Sequence, residues 1–266
     1  MTEPAPAPVL LETRAGVARL TLNRPGAANA IDLDLARALA AATRRVRTDP
    51  TVRVVLLAGA GSRFCAGGDV RGFAGGGGQL GDHLGELLGA LHPAIADLAA
   101  LEVPLVAAVQ GSAAGAGISL LAAADLVVAA ENTRFVLAYT SLGLVPDGGS
   151  TWSLPRAVGL RRALELVLTN RTLDAAEALA WGLVTRVVPD DELTAEADRL
   201  VTELAEGPPA ALAAAKRLVR DGLGASLDEQ LRREAAAMVL AGNSADGQEG
   251  VAAFVEKRRA RFSPPT

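Results

Sequence analysis

Between residues 104 and 151 two glycine-rich turns flank an apolar span, PLVAAVQGSAAGAGISLLAAAD and then FVLAYTSLGLVPDGGST. The first turn, residues 111–117, follows a β-like run from Leu105 to Val109 and leads into a small-residue helical pattern, the order of a strand–turn–helix unit in an α/β fold. Bare backbone at such a helix start can turn its N–H groups onto a ligand oxygen. In the second turn Asp147 stands between Pro146 and two glycines. Donors from one turn and a carboxylate from the other suit proton abstraction beside a carbonyl, because the donors hold the enolate oxygen while the acid moves the proton. Asp147 also fits an N-cap ahead of Gly148, Gly149 and Ser150.

The same stretch limits what the chain is. The uncharged run 103–124 is long enough for a membrane span, but Pro104, Gln110 and three glycines interrupt it and no basic anchors flank it, so no membrane partner is expected. Half of the 266 residues are hydrophobic, enough for one large domain with a tail. With a net charge of −4 and 26 scattered Lys and Arg residues, nothing forms a phosphate-tracking stripe, so no nucleic acid is expected either. One cysteine, Cys65, and two histidines leave no intramolecular disulfide and no metal cluster. The opening MTEPAPAP lacks a basic region leading into an apolar core; residues 1–8 are expected to be a disordered leader, and the cytoplasm is the expected compartment.

Taken in order, residues 9–12 and 17–22 form two short strands around Arg14-Ala15-Gly16, and Asp32 caps a helix carrying Leu33, Leu35, Leu39 and Val46. Residues 52–58 are an apolar, β-branched run that fits a strand covered on both faces. In the GAGSRFCAGGDVRGF that follows, Gly67 and Gly68 permit a tight turn at a strand end. Residues 74–81, AGGGGQLG, read as a mobile flap or a plain linker. His92 falls before Pro93 in a helix spanning 84–101. Helices over 157–168, 173–181 and 192–204, a strand over 184–188 and a helical tail over 209–259 complete the pattern.

Several of these motifs in this order, TLNRPGAANA, RFCAGGD, PLVAAVQGSAAGAG, SLGLVPDGGS, WGLV and EGVAAFVEKR, make the chain resemble the enoyl-CoA hydratase/isomerase (crotonase) family over nearly its whole length. The resemblance implies an α/β spiral of strand–strand–helix turns over residues 9–200 and an α-helical C-terminal trimerisation region over 201–266. It also implies an acyl-CoA thioester as substrate, coenzyme A arriving as part of it with no separate cofactor, and a homotrimer or dimer of trimers.

Residue by residue, the family's oxyanion-hole donors match the backbone N–H groups of Gly68 and Ala116. The positions of the two hydratase glutamates hold Ser119 and Tyr139, which are poor bases near neutrality, so two-glutamate hydration is not expected. Asp147 matches the single acid of an isomerase branch that carries a proton between two carbons of one acyl chain. Three other readings stay open: hydratase; a dehalogenase-like or thioester-hydrolysing enzyme, with Asp147 as nucleophile in the dehalogenase case and His92 activating water; and a non-catalytic scaffold or RNA-binding relative. For the substrate, the resemblance assigns Ala66, His92, Ser119 and Tyr139 to binding, Arg24 and Arg71 near the CoA phosphates and adenine, and Phe254 and Lys257 reaching a neighbouring subunit's CoA.

Overall fold

Alternation along three strands sets the architecture. In β3 (Val54–Gly59), Val55 and Leu57 enter one core while Val54 and Leu56 enter another. In β4 (Leu105–Val109), Leu105, Ala107 and Val109 join the first core and Val106 and Ala108 the second; β6 (Leu126–Ala130) divides its residues in the same way. Strands buried on both faces need helices on both sides, which is why these segments read as unbroken apolar runs. A computed structural model of the 266-residue chain describes residues 6–70, 72 and 80–263, and it supplies those helices. Arg71 and all but the last two residues of the expected flap lie outside the described residues; Leu80 and Gly81 already belong to a helix.

With β1 (Val9–Arg14), β2 (Val17–Leu22) and β9 (Arg186–Val188), these strands build a six-stranded sheet in the order β1-β2-β3-β4-β6-β9. Only the β1–β2 hairpin is antiparallel; every other pair is parallel. Parallel neighbours require crossovers. The first is α1 (Leu33–Thr48), opened by Asp32, whose side chain accepts the Leu35 N–H, and the second is α2 (Leu80–Ala99). Both pack into the first core through residues such as Leu35, Leu39, Leu91 and Leu98. The second core lies between the other face of the sheet and α7 (Leu193–Ala205), through Leu193, Ala197, Leu200 and Val201.

Between visits to the large sheet the chain passes a small one of β5 (Ser112–Ala114), β7 (Arg134–Val136) and β8 (Leu173–Asp174). Cys65 extends that ladder by a parallel bridge to Ala113, so successive turns of a spiral lie side by side. The expected spiral of strand–strand–helix turns is present.

Some boundaries differ from the sequence reading. A helix α4 (Ser150–Val158) precedes α5 (Leu160–Thr169), where the sequence suggested one helix from 157 onward; Pro155 inside α4 and Gly159 after it hide the period. Residues 173–174 are a strand that ends in Asp174, the N-cap of α6 (Ala175–Trp181). The tail is three helices, α8 (Pro209–Gly222), α9 (Leu227–Asn243) and α10 (Ala245–Val255), with Ser226 and Ser244 each capping a new start. At the other end, Ala7 and Pro8 are held by the Asn23 side chain and main chain. No helix among the described residues is long and apolar enough to cross a membrane.

Candidate active site

The site begins where β3 ends. Beyond it the Phe64 N–H donates to Gln110 O, Cys65 N–H to Ser112 O, and Ala114 N–H to Cys65 O, so residues 64–66 run in parallel register with β5. Cys65 faces Ala113; beyond that bridge Gly115 takes φ +49° and Ala116 opens α3 (Ala116–Ala122). The approach is close. Gly67 has φ +91°, and a Cβ on it would stand 2.9 Å from Ala114 O, so only glycine lets the two turns meet here. Among the described residues no acceptor takes the N–H of Gly68 or of Ala116. Two backbone donors on adjoining turns can hold one oxygen of a ligand.

Asp147 is held by three hydroxyl groups, one of them from Ser119 of the helix that Ala116 opens. Tyr139 donates a short hydrogen bond to Asp147 Oδ1. Ser119, from α3 and 1% exposed, donates to the main-chain carbonyl of Asp147 at 2.9 Å, and Ser150 donates to the same carbonyl at 2.8 Å. The next residue, Gly148, has φ +58°, and a Cβ there would stand 2.8 Å from both Ile95 Cδ1 of α2 and Ser119 Cβ. The carboxylate therefore sits on a segment seated against α2 and α3. It does not cap α4, whose N-cap is Gly149 with no side-chain bond.

Burial pushes the Tyr139 phenol well above its ordinary pKa, and the negative charge of Asp147 adds to this. Tyr139 is thus a neutral donor over the whole working range. Ser119 has its hydroxyl committed to a carbonyl. Neither side chain at these two positions is placed as a base.

The remaining expected residues fall as follows. Ala66 is half-buried in the site loop, its N–H donating to Ala28 O at 3.0 Å. Arg24 does not project freely: its guanidinium pairs with Asp32 at 2.9 Å and Asp69 at 3.2 Å and donates to Ala30 O. His92 is exposed on α2 and, among the described residues, makes no hydrogen bond or ion pair with Asp147 or Tyr139. Phe254 and Lys257 are exposed at the end of α10. Also among the described residues, no group of three or more His, Cys, Asp or Glu side chains is gathered to hold a metal ion.

One supporting residue escaped the sequence reading. Asn29 is fully buried, takes φ +54°, donates to Ala60 O and Arg63 O at 2.9 and 2.8 Å, and accepts the Arg24 N–H. It pins the turn after β2 to the loop after β3. The only signal for it was an asparagine, a residue tolerant of left-handed backbone, just past an Arg-Pro-Gly turn.

A family model described as enoyl-CoA hydratase/isomerase matches residues 12–265. The chain is 39% identical over 259 residues to 1,2-epoxyphenylacetyl-CoA isomerase of Escherichia coli (strain K12), covering 96% of this chain and 98% of that protein. It is 37% identical over 256 residues to carnitinyl-CoA dehydratase of Proteus mirabilis (strain HI4320), covering 93% of this chain and 95% of the other. The crystal structure of an enoyl-CoA hydratase from Polaromonas sp. JS666 superposes with a TM-score of 0.90 at 33% identity, covering 96% of this chain and 99% of that one.

Proposed function

The chain belongs to the enoyl-CoA hydratase/isomerase family, and on that premise we propose that it isomerises an acyl-CoA thioester, moving a 3-enoyl double bond to the 2-position. The observation that supports this reading is Asp147, a carboxylate bonded by Tyr139 with its main chain tied to Ser119 of α3, the helix that Ala116 opens, so that Ser119 and Tyr139 are occupied in holding it. Asp147 takes a proton from the carbon next to the thioester. The two N–H groups hold the oxygen of the resulting dienolate, each contributing about 3–4 kcal/mol to the barrier reduction. The same acid then returns the proton two carbons along the chain. One carboxylate is sufficient, because the proton removed is the proton delivered.

Hydration is the second reading, favoured by relatives named as hydratase and dehydratase. It asks for a group that activates water in addition to one that protonates carbon, and Ser119 and Tyr139 are poorly suited to either task. The test is to incubate the purified protein separately with a 3-enoyl-CoA, a 2-enoyl-CoA and, given the name of the Escherichia coli relative, an epoxide-bearing arylacetyl-CoA. A double-bond shift in the first with no hydroxyacyl product in the second supports isomerisation. Hydroxyacyl product without a shift would move the assignment to hydratase, and an Asp147→Asn chain that still isomerises would remove the base.

Coenzyme A enters as part of the substrate in this scheme. The assembly we propose is a homotrimer or a dimer of trimers. Helices α8 and α9 bury no residue of their own, and Val219, Leu223, Leu227, Leu231, Met238 and Leu240 on and between them are exposed, apolar surface that neighbouring copies would cover. Sedimentation equilibrium reads the stoichiometry, and a monomer at micromolar concentration would refute it.

A further inference from the structure

Resting on the isomerase reading, we propose that Tyr139 is a positioning residue that selects which oxygen of Asp147 carries the migrating proton and braces the base against the oxyanion turn. Its hydroxyl donates to Asp147 Oδ1, and among the described residues no protein group donates to Oδ2. A carboxylate with one oxygen engaged presents the other to the acyl chain. The ring of the same tyrosine stands near Gly115, close enough that a Cβ there would be 3.8 Å from Tyr139 Cζ. Gly115 immediately precedes Ala116, one of the two oxyanion donors. A single side chain therefore sets the spacing between the group that takes the proton and a group that holds the developing charge.

The other supports of Asp147 do not perform this task. Ser119 and Ser150 donate to its main-chain carbonyl, which fixes the backbone and leaves the carboxylate free to rotate about its own side-chain bonds. Tyr139 is the contact that stops that rotation. Its phenol is buried enough to remain protonated, so the donor persists wherever Asp147 is charged.

Rotation matters because of where the proton goes. The C–H bond at the α-carbon breaks, its electron pair passes into the dienolate, and the proton forms an O–H bond at Oδ2. That O–H bond then breaks, a C–H bond forms at the γ-carbon, and the electrons return to restore the thioester carbonyl. No other reactant is consumed. The same hydrogen completes the transfer only if the acid keeps it facing the acyl chain for the lifetime of the dienolate. A carboxyl free to turn would exchange its proton with water first.

The experiment is isomerisation of a 3-enoyl-CoA in D2O, with the deuterium content of the γ-carbon read by mass spectrometry. The native chain is expected to return mostly protium. Tyr139→Phe keeps the ring on Gly115 and removes the donor; it is expected to raise γ-deuterium several-fold and to lower kcat roughly tenfold, the effect of losing about 1.4 kcal/mol of transition-state stabilisation, while KM stays within about a factor of two. Tyr139→Trp, which restores an N–H donor, is expected to recover part of the protium return. A Tyr139→Phe chain with native kcat and native deuterium content overturns the proposal. Asp147→Asn separates this outcome from failure of the isomerase reading: turnover retained there removes the base, whereas turnover lost there with Tyr139→Phe unchanged removes only the positioning role.

Discussion

Arg24 and Asp69 close a clamp beside Gly68, the first of the two proposed oxyanion donors: Arg24 Nη2 lies 3.2 Å from Asp69 Oδ2, one residue past Gly68, and 2.9 Å from Asp32 Oδ2. Asp32 at the same time caps α1 through its other oxygen. Main-chain bonds run beside the clamp, from Ile31 N–H to Gly67 O and from Asp69 N–H to Ile31 O. The peptide of Gly68 is thus fixed from both sides by the turn that follows β2. Arg24 is used for this, and its side chain is three-quarters covered.

Replacing Arg24 by alanine would leave two half-buried carboxylates facing each other without their cation. The expected cost is about 1–3 kcal/mol of folding stability, the range for stranding a buried polar partner. If the clamp sets the proposed Gly68 donor, kcat is expected to fall roughly tenfold, about 1.4 kcal/mol of barrier, with a smaller change in KM for acyl-CoA. Urea unfolding and steady-state kinetics on the same preparation check both. The opposite split, a large rise in KM at constant kcat and constant stability, would assign Arg24 to the CoA phosphates instead.

Gly67 offers a sharper probe of the proposed oxyanion turn. Its positive φ and the 2.9 Å approach of Ala114 O leave no room for a methyl group, so Gly67→Ala must push the two turns apart. The protein is expected to fold, since the strain is local. Catalysis is expected to drop by about 10²-fold or more, the loss seen when one oxyanion donor is misplaced. Binding of a saturated acyl-CoA measured by calorimetry should change far less than kcat. A variant with native kcat would show that this turn takes no part in the chemistry.

The parts legible in the sequence were those whose signal is local. Residues 52–58 and Leu105–Val109 read as buried strands because burial on both faces leaves a continuous apolar run, and Asp32 read as a cap because its bond spans three residues. Asp147 stood out through the two glycines after it, the first of which, Gly148, lets the turn pack on Ser119. What the sequence concealed was pairing across distance. Nothing near Arg24 says that Asp69 will fold beside it, so a turn arginine reads equally well as a phosphate contact. Helix α4 was hidden by Pro155 and Gly159. Tyr139 and Asp147 are only eight residues apart, yet their contact depends on the 3₁₀ turn over Thr140–Leu142 that folds the chain back, and no pattern announces it.

Tyr139 is the chain's only tyrosine, which makes its ionisation directly observable. Burial first, and the charge of Asp147 second, raise its pKa well above the ordinary value of 10.0. Above that value the unfolded chain releases the phenolic proton while the folded chain keeps it. The folded state then binds more protons, so stability falls with rising pH, by up to about 1.4 kcal/mol per pH unit; below the unfolded pKa this contribution is fully present. Tyrosinate absorbance in an alkaline titration is therefore expected to appear together with loss of helical circular dichroism, not before it. Tyr139→Phe should retain more of its neutral-pH stability than the native chain when both are unfolded in urea at about pH 11, since the variant has no phenol to titrate. Tyrosinate forming near pH 10 in a chain that is still folded would mean that the phenol is open to water and that its bond to Asp147 is not maintained.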